Sequence, residues 1–537
     1  MTVALRPPEE VMRLDRMGCF HQSRLSFMRM LLRRLKAEDW TFDRPLFEIA
    51  ADGTGRAVYT AHGPDRSYSL VAFAHDLPPE ARSDRVIATA WDATFTLFDG
   101  VPNAEDLARL GANVPLQEAG RITDRELTLS RANRSVRLFE HVVDALAEGR
   151  QPDPARIDAV GYLMRTTAVY GSGKFGAADR ARIADRPECS APFQVEMLTV
   201  WLIRAFVLDQ VEAMARARAP DRAVALEPGL RRRFGIGNST GLGMAPFLVH
   251  HPVLLDRWIT ARETALARVL EQAAPPDRIA AFIAARDAAA HNVAAWRTEH
   301  PVQAAKLDGL RADMERLVAQ PVTGWAALWA WGQTALSLEG QELLVSLLLE
   351  PWPELVDGLG ATMCAEEDAH FAIDGRMSLD DLRGALCVVH GVEGCDGPAR
   401  VWFTSADKLE PRLGEPDPAL DPHAQPLATR RDAAALLAAI AGREGDVAGF
   451  LLDHPEHRHT VRRVQIALRH PYAEIRDDLA STTMLPADML RAKLSFFGAG
   501  RFDPRSDRWV RIEMFRGAPF PHEMADAGPE PWTGLPA

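Results

Sequence analysis

The 537-residue sequence predicts an α+β fold that is mostly helical, and three observations carry that reading. Residues 191–363 hold the helical period almost without a break. Runs rich in β-branched and aromatic residues, bounded by Gly, Pro and Asp, occur on both sides of that stretch. Two similar Gly-x-Gly segments also flank it, "YGSGKFGAADR" (170–180) and "FFGAGRFDPRSDR" (496–508). The chain is too long for one hydrophobic core. It divides into an N-terminal α+β unit (1–190) led by an amphipathic helix, a central helical region (191–363) and a C-terminal α+β unit (364–537).

The leading helix is "HQSRLSFMRMLLRRLK", which places Leu25, Met28, Leu32 and Leu35 on one face. Its basic face also suits a membrane surface; packing within the domain is the preferred reading. "RSYSLVAFAHDL" and "DRVIATAWDATFTLFDG" then read as two or three strands. "RSVRLFEHVVDALAEGR" reads as a helix stopped by Gly149 and Pro152. In the central region "APFQVEMLTVWLIRAFVLDQVEAMARARA" and its neighbours alternate apolar and charged faces, and Trp325, Leu328 and Trp329 form a core stripe. Strand signals return in "GALCVVHGVEG", "PARVWFTS" and "RWVRIEMF". Between them "EPRLGEPDPALDPHAQPLA" reads as a loop, and "GPEPWTGLPA" as a loose tail.

Composition narrows the function classes. A formal net charge of -12 argues against a nucleic-acid partner, which would require a basic face. No run approaches the length of a membrane span; the nearest, "MLTVWLIRAFVL", carries Arg204 in its middle. Five scattered cysteines with no C-x-x-C pair fit a reducing compartment, and a soluble, cytoplasmic protein is expected. Self-association is left open.

The two Gly-x-Gly segments suggest an internal duplication. Arg165, Tyr170, Gly171, Gly173, Lys174 and Phe175 in the first match Arg491, Phe497, Gly498, Gly500, Arg501 and Phe502 in the second, with one residue inserted on each side of the glycines. Gly171, Ser172 and Gly173 can turn with successive N–H groups pointing inward, which makes an anion nest. Lysine is scarce, at Lys36, Lys174, Lys306, Lys408 and Lys493 among 62 Lys and Arg, so Lys174 between glycines stands out. An ammonium, unlike a guanidinium, can be tuned for proton transfer. A second glycine-rich stretch, "FGIGNSTGLGMAPF" (234–247), offers Asn238, Ser239 and Thr240 before a helix.

Familiar motifs fail. Tyr170 and Lys174 satisfy Y-x-x-x-K, as in short-chain dehydrogenases, but the glycines break the helix that pair requires and no upstream dinucleotide motif exists. Phe175 stands where a phosphate loop needs Ser or Thr. Glu367-x-x-His370 and Glu456-x-x-His459 are too few and too ill-placed for a di-iron site, so no metal is expected. No cofactor is indicated.

The expectation is therefore an enzyme acting on a small anionic metabolite, a carboxylate or phosphate. Arg165 and the Gly171–Gly173 backbone would hold the anion, with Asn238, Ser239 and Thr240 adding contacts. Lys174 or Tyr170 would move the proton, and Arg491 and Arg501 would bind in the second segment. The alternative is a scaffold or regulatory binding protein whose Gly-x-Gly segments are structural turns.

Overall fold

A computed structural model of the chain describes residues 4–17, 21–75, 91–115, 122–166, 183, 185–238, 251–298, 300–363, 371–392, 402–405, 408–413, 425–427, 429–475, 486–506 and 509–532. The fold is α+β and mostly helical. Its strands in the first half are β1 (Thr41–Ile49), β2 (Gly55–His62), β3 (Ser67–Ala74), β4 (Ala93–Asp99), β5 (Glu126–Arg134), β6 (Tyr162–Thr166) and β7 (Gly235–Asn238). A short three-stranded sheet follows from β8 (Trp402–Ser405), β9 (Lys408–Leu413) and β10 (Gln425–Leu427), and β11 (Arg501–Ser506) and β12 (Trp509–Met514) come last.

Helices of eight residues or more are numbered in chain order. They are α1 (Phe27–Ala37), α2 (Ala104–Asn113), α3 (Phe139–Ala147), α4 (Gln194–Arg218), α5 (Pro252–Leu270), α6 (Pro276–Ala295) and α7 (Pro301–Ala319). The rest are α8 (Trp325–Ala335), α9 (Leu338–Leu349), α10 (Leu379–His390), α11 (Thr429–Ala439), α12 (Arg458–Arg469) and α13 (Pro486–Phe496). None among the described residues is long and apolar enough to cross a membrane.

The main sheet runs β1-β2-β3-β4-β5-β6-β7-β12-β11, so the last hairpin of the chain completes a sheet begun at residue 41. Alternation sets its two faces. Phe95 and Leu97 of β4 enter the main core, where Phe206 of α4 meets Phe95 and Tyr59 edge-on at 5.6 and 6.4 Å. Val58, Val71, Phe73, Phe98 and Leu129 form a smaller core on the opposite face, beneath Leu110 and Val114 at the end of α2. Helices α10 to α12 enclose a separate cluster around Leu382, Leu386, Leu436, Ile440, Val461 and Val464.

Helix α4 is buried nearly all round, and the charge in its middle explains how the distant strands are held. The Arg204 guanidinium donates to the carbonyls of Phe234 (2.7 Å) and Ala518 (2.8 Å) and lies 3.8 Å from the Phe520 ring centre. One turn earlier, the Trp201 indole N–H donates to Pro519 O at 2.8 Å. Burial disfavours the Arg204 charge and pushes its pKa well below the usual value, with the Glu523 carboxylate opposing.

Helix α1 is likewise internal. Ser26 caps it by accepting from the Arg29 N–H, and Leu25, Met28, Leu32 and Leu35 are buried. Arg24 and Arg29 are buried with them, and the partly exposed Arg34 and Lys36 donate to the carbonyls of Pro187, Met524 and Ala525.

Three sequence assignments need correction. "GALCVVHGVEG" is not a strand: its first residues complete α10, whose Ser378 cap and Asp380 and Asp381 in the first turn lie upstream of the apolar run. The Pro- and Asp-rich loop contains the last four residues of β9 and all of β10. The tail is fixed at Trp532, which is buried, stacks on Phe515 and donates to Arg516 O at 2.9 Å. The internal duplication is not shown: Arg165 lies on strand β6, whereas its proposed counterpart Arg491 lies on helix α13.

Two outcomes follow from these buried charges. Arg204→Met leaves two buried carbonyls without a donor and should cost roughly 3–5 kcal/mol in urea unfolding. His21, fully enclosed beside Glu350 and Arg29, has its pKa lowered by burial to about 4. A depressed folded-state pKa means that the unfolded chain binds the extra proton first. The stability contributed is complete above the unfolded value near 6.5 and falls as pH drops toward 4, by up to about 3 kcal/mol. Urea midpoints from pH 7 to pH 4 should therefore decline less steeply in His21→Gln than in the wild type.

Candidate functional site

Every neighbouring strand pair in the described sheet is antiparallel except β6 and β7, which run side by side in the same direction. Parallel strands cannot be joined by a hairpin, so the chain crosses between them through α4. Their last residues, Thr166 and Asn238, are direct register partners. The two glycine-rich stretches singled out in the sequence therefore depart from adjacent points at one end of the sheet. Tyr170, Gly171, Ser172, Gly173 and Lys174 lie outside the described residues, as do Ser239 and Thr240.

The strands supply a buried polar patch at this end. In register, Arg165 sits beside Asn133 of β5 on one side and Gly237 of β7 on the other. Gly237 pairs with Glu513 of β12, which pairs with Arg501 of β11. Arg165 and Arg501 thus occupy the same transverse row, three strand spacings or about 14 Å apart at their Cα atoms. Arg165, Asn133 and Glu513 are all buried. The Glu513 carboxylate is paired with Arg516 at 3.3 Å.

Around Arg165 the neighbouring groups are positioned by hydrogen bonds. The Asp92 N–H donates to the Asn133 side-chain oxygen at 3.2 Å, and the Asp92 carboxylate accepts from the Arg134 N–H at 2.8 Å. Thr166 Oγ1 donates to Arg131 O at 3.2 Å. The Arg131 guanidinium lies 3.9 Å from the Trp91 ring centre, and burial lowers its pKa to about 10. Asn238 is fully buried, its amide nitrogen 3.9 Å from Met514 Sδ. This patch combines the guanidinium groups of Arg165 and Arg131, the carboxylates of Asp92 and Glu513 and the amides of Asn133 and Asn238, beside the C-terminal ends of parallel strands, where α/β proteins place ligands.

The second Gly-x-Gly segment is built differently. Gly498 has φ +79° and its N–H returns to Leu494 O at 3.1 Å, ending α13 in a left-handed turn. A Cβ there would lie 2.5 Å from Ser26 Oγ. Gly500 N–H donates to Glu513 O at 3.0 Å and starts the β11 pairing. Arg491 is apart from the row: it pairs with Glu339 and donates to Asp15 O at 2.8 Å.

Other reactive groups are set aside by their surroundings. Burial pushes the Cys189 thiol up to about 12, and the cavity it shares with Tyr68, Trp40 and Glu188 has about 20 Å³ of free volume, room for one water. Glu456 accepts from its neighbour His454 at 3.2 Å. Among the described residues no group of three or more His, Cys, Asp or Glu is arranged to hold a metal ion. Glu367 and His370 lie outside them.

No protein-family model, curated protein or solved structure matches this chain. Sequence reading missed Asp92, Arg131 and Asn133. The one signal was the polar spacing inside "LSRANR", where Arg131 and Asn133 alternate with Ser130 and Ala132.

Gly237 is the pivot of the parallel pair, because a Cβ there would lie 2.8 Å from the Tyr162 ring. Gly237→Ala should force β6 and β7 apart and cost about 1–3 kcal/mol in urea unfolding. Gly229→Ala, where nothing lies within 4 Å of the added carbon, serves as the control and should be near neutral.

Proposed function

We propose that this protein is an enzyme that binds a small anionic metabolite, a carboxylate or phosphate, at the C-terminal ends of β6 and β7. The observation that supports this most is the register pairing of Thr166 with Asn238, which starts both glycine-rich stretches side by side. In this reading Arg165 supplies the fixed positive charge, and the Gly171–Ser172–Gly173 backbone supplies N–H donors to the anion. Asn238, Ser239 and Thr240 orient the rest of the molecule. Lys174 is the proton-transfer group, with Tyr170 as its partner, because Arg165 and Arg131 cannot exchange a proton readily near neutral pH.

A second reading is favoured by the Gly498 turn. There a Gly-x-Gly segment closes a helix and starts a strand, which is what a scaffold with structural turns would require.

The two readings separate in a thermal-shift screen of wild type and Lys174→Ala against carboxylates, phosphates and nucleotides. The enzyme reading expects a ligand that raises the wild-type melting temperature by several degrees and leaves Lys174→Ala unmoved, with both proteins melting alike when free. If Lys174→Ala melts several degrees lower and no ligand shifts either protein, Lys174 is structural and the enzyme reading falls.

A further inference from the structure

A second concentration of positive charge lies along α1, away from the β6–β7 ends and independent of the proposal made for them. Arg24, Arg29 and Arg33 converge on Glu530 in the C-terminal tail. Arg24 Nη1 reaches Glu530 Oε1 at 2.7 Å, Arg29 Nη2 reaches Oε2 at 3.1 Å, and Arg33 Nε stands off at 3.9 Å. Behind them Glu350 accepts two bonds from Arg29, both 2.7 Å; at the surface Asp357 accepts from Arg33 at 2.8 Å and Arg24 at 3.3 Å.

The burial is lopsided. The three arginine side chains are 4, 1 and 10% exposed, whereas Glu530 is 30% exposed. The cations are fixed inside the protein with Glu350, whereas two of their counter-charges, Glu530 and the 42% exposed Asp357, lie on the solvent side. Several donors there are unfilled: Arg24 Nε, Arg29 Nε and Arg33 Nη1 are buried with no hydrogen-bond partner, as are the acceptor atoms Gln22 Oε1 and Ser23 Oγ. Without Glu530 the site holds three arginines against two carboxylates, a net single positive charge.

Glu530 is also presented in an unusual way. It stands between Pro529 and Pro531, and Trp532 anchors the segment independently through its ring contact and its bond to Arg516 O. The carboxylate is delivered by a stiff arm, and releasing it does not require releasing Trp532.

We propose that the three-arginine cluster is a binding site for a phosphate group, and that Glu530 is the chain's own competitor for it. A carboxylate has two oxygens and leaves Arg33 Nε at 3.9 Å. A phosphate has more acceptor oxygens and a larger charge, and planar guanidinium forks are the groups that recognise it. Burial and the like charge of Arg29 lower the Arg33 pKa to about 10, so that cation gains most from a further anion.

The test compares wild type, Glu530→Gln and the double variant Glu530→Gln/Arg33→Met by thermal shift in inorganic phosphate, with chloride holding ionic strength constant. Glu530 is partly exposed, so Glu530→Gln should fold. It should melt below wild type, and millimolar phosphate should then raise it by several degrees, more than wild type, while the double variant moves no more than wild type. Equilibrium dialysis with labelled phosphate should count one added site in Glu530→Gln. That site should persist when Lys174→Ala is added, which separates it from the β6–β7 proposal. Phosphate acting no better than chloride on Glu530→Gln, or shifting all three proteins equally, would overturn the assignment and leave a structural ion-pair cluster.

Discussion

The fold depends on a guanidinium buried in an apolar helix. Arg204 reaches three segments that sequence separates widely: the helix that carries it, the approach to β7 at Phe234, and the chain after β12 at Ala518. A hydrophobic side chain there would pack, but it could not fill the carbonyls of two crossing loops. Leaving such groups unpaired costs more than a typical hydrogen bond contributes. The Trp201 bond to Pro519 and the Phe520 ring against Arg204 complete the joint. Through it the last hairpin is docked beside β7, and the sheet extends from β7 to β11.

The same chemistry recurs elsewhere and explains the bias toward arginine. Arg6 bridges Glu263 (2.7 and 2.6 Å) and Glu342 (3.2 Å), Arg16 meets Gln341 at 3.0 Å, and Arg262 also pairs with Glu342. Arg29 grips Glu350 with two nitrogens; burial alone would raise that carboxyl, but Arg29 overrides it and the pKa falls to about 2. A lysine offers one ammonium and cannot fork between two acceptors. Buried ion pairs of this kind add little net stability over a well-packed apolar core. What they fix is position, because each carboxylate accepts only the arm that brings its partner. The arm from Arg6 to Arg33 is located in this way against α5, α9 and the tail.

Sequence periodicity revealed the elements whose environment is uniform. The apolar face of α1, the long apolar run of α4, the β-branched and aromatic runs of β3 and β4, and the Trp325, Leu328 and Trp329 stripe all reflect local burial. Elements whose reason for existing is elsewhere in the chain were not legible. β7 is only "GIGN", too short and glycine-rich to signal a strand, and it is extended because β6 and β12 pair with it. β9 lies in a segment rich in Pro and Asp for the same reason. The tail looks loose because its anchor is one tryptophan and one glutamate, with no pattern around them. At the candidate site, Arg165 was found by its proximity to a glycine motif. Asp92 and Asn133 were not, since their roles appear only when β4, β5 and β6 lie side by side.

The parallel pair and the buried helix are one constraint seen twice. An antiparallel pair can close its end with a hairpin, as β1–β2, β2–β3 and β11–β12 do. Between β6 and β7 the chain must travel the length of the sheet and return, and α4 is the element that makes the return. A crossover helix lies against the sheet, so it is buried on the sheet side, and the loops that β7 and β12 bring over it bury the other side. That is why its central arginine meets carbonyls and not water. The same crossover leaves two strand ends side by side with no hairpin to close them, and both are followed by glycine-rich sequence. Glycine-rich sequence therefore follows two strand ends that the topology sets side by side, near a buried arginine. The proposed anion site rests on this coincidence of topology, glycine and charge.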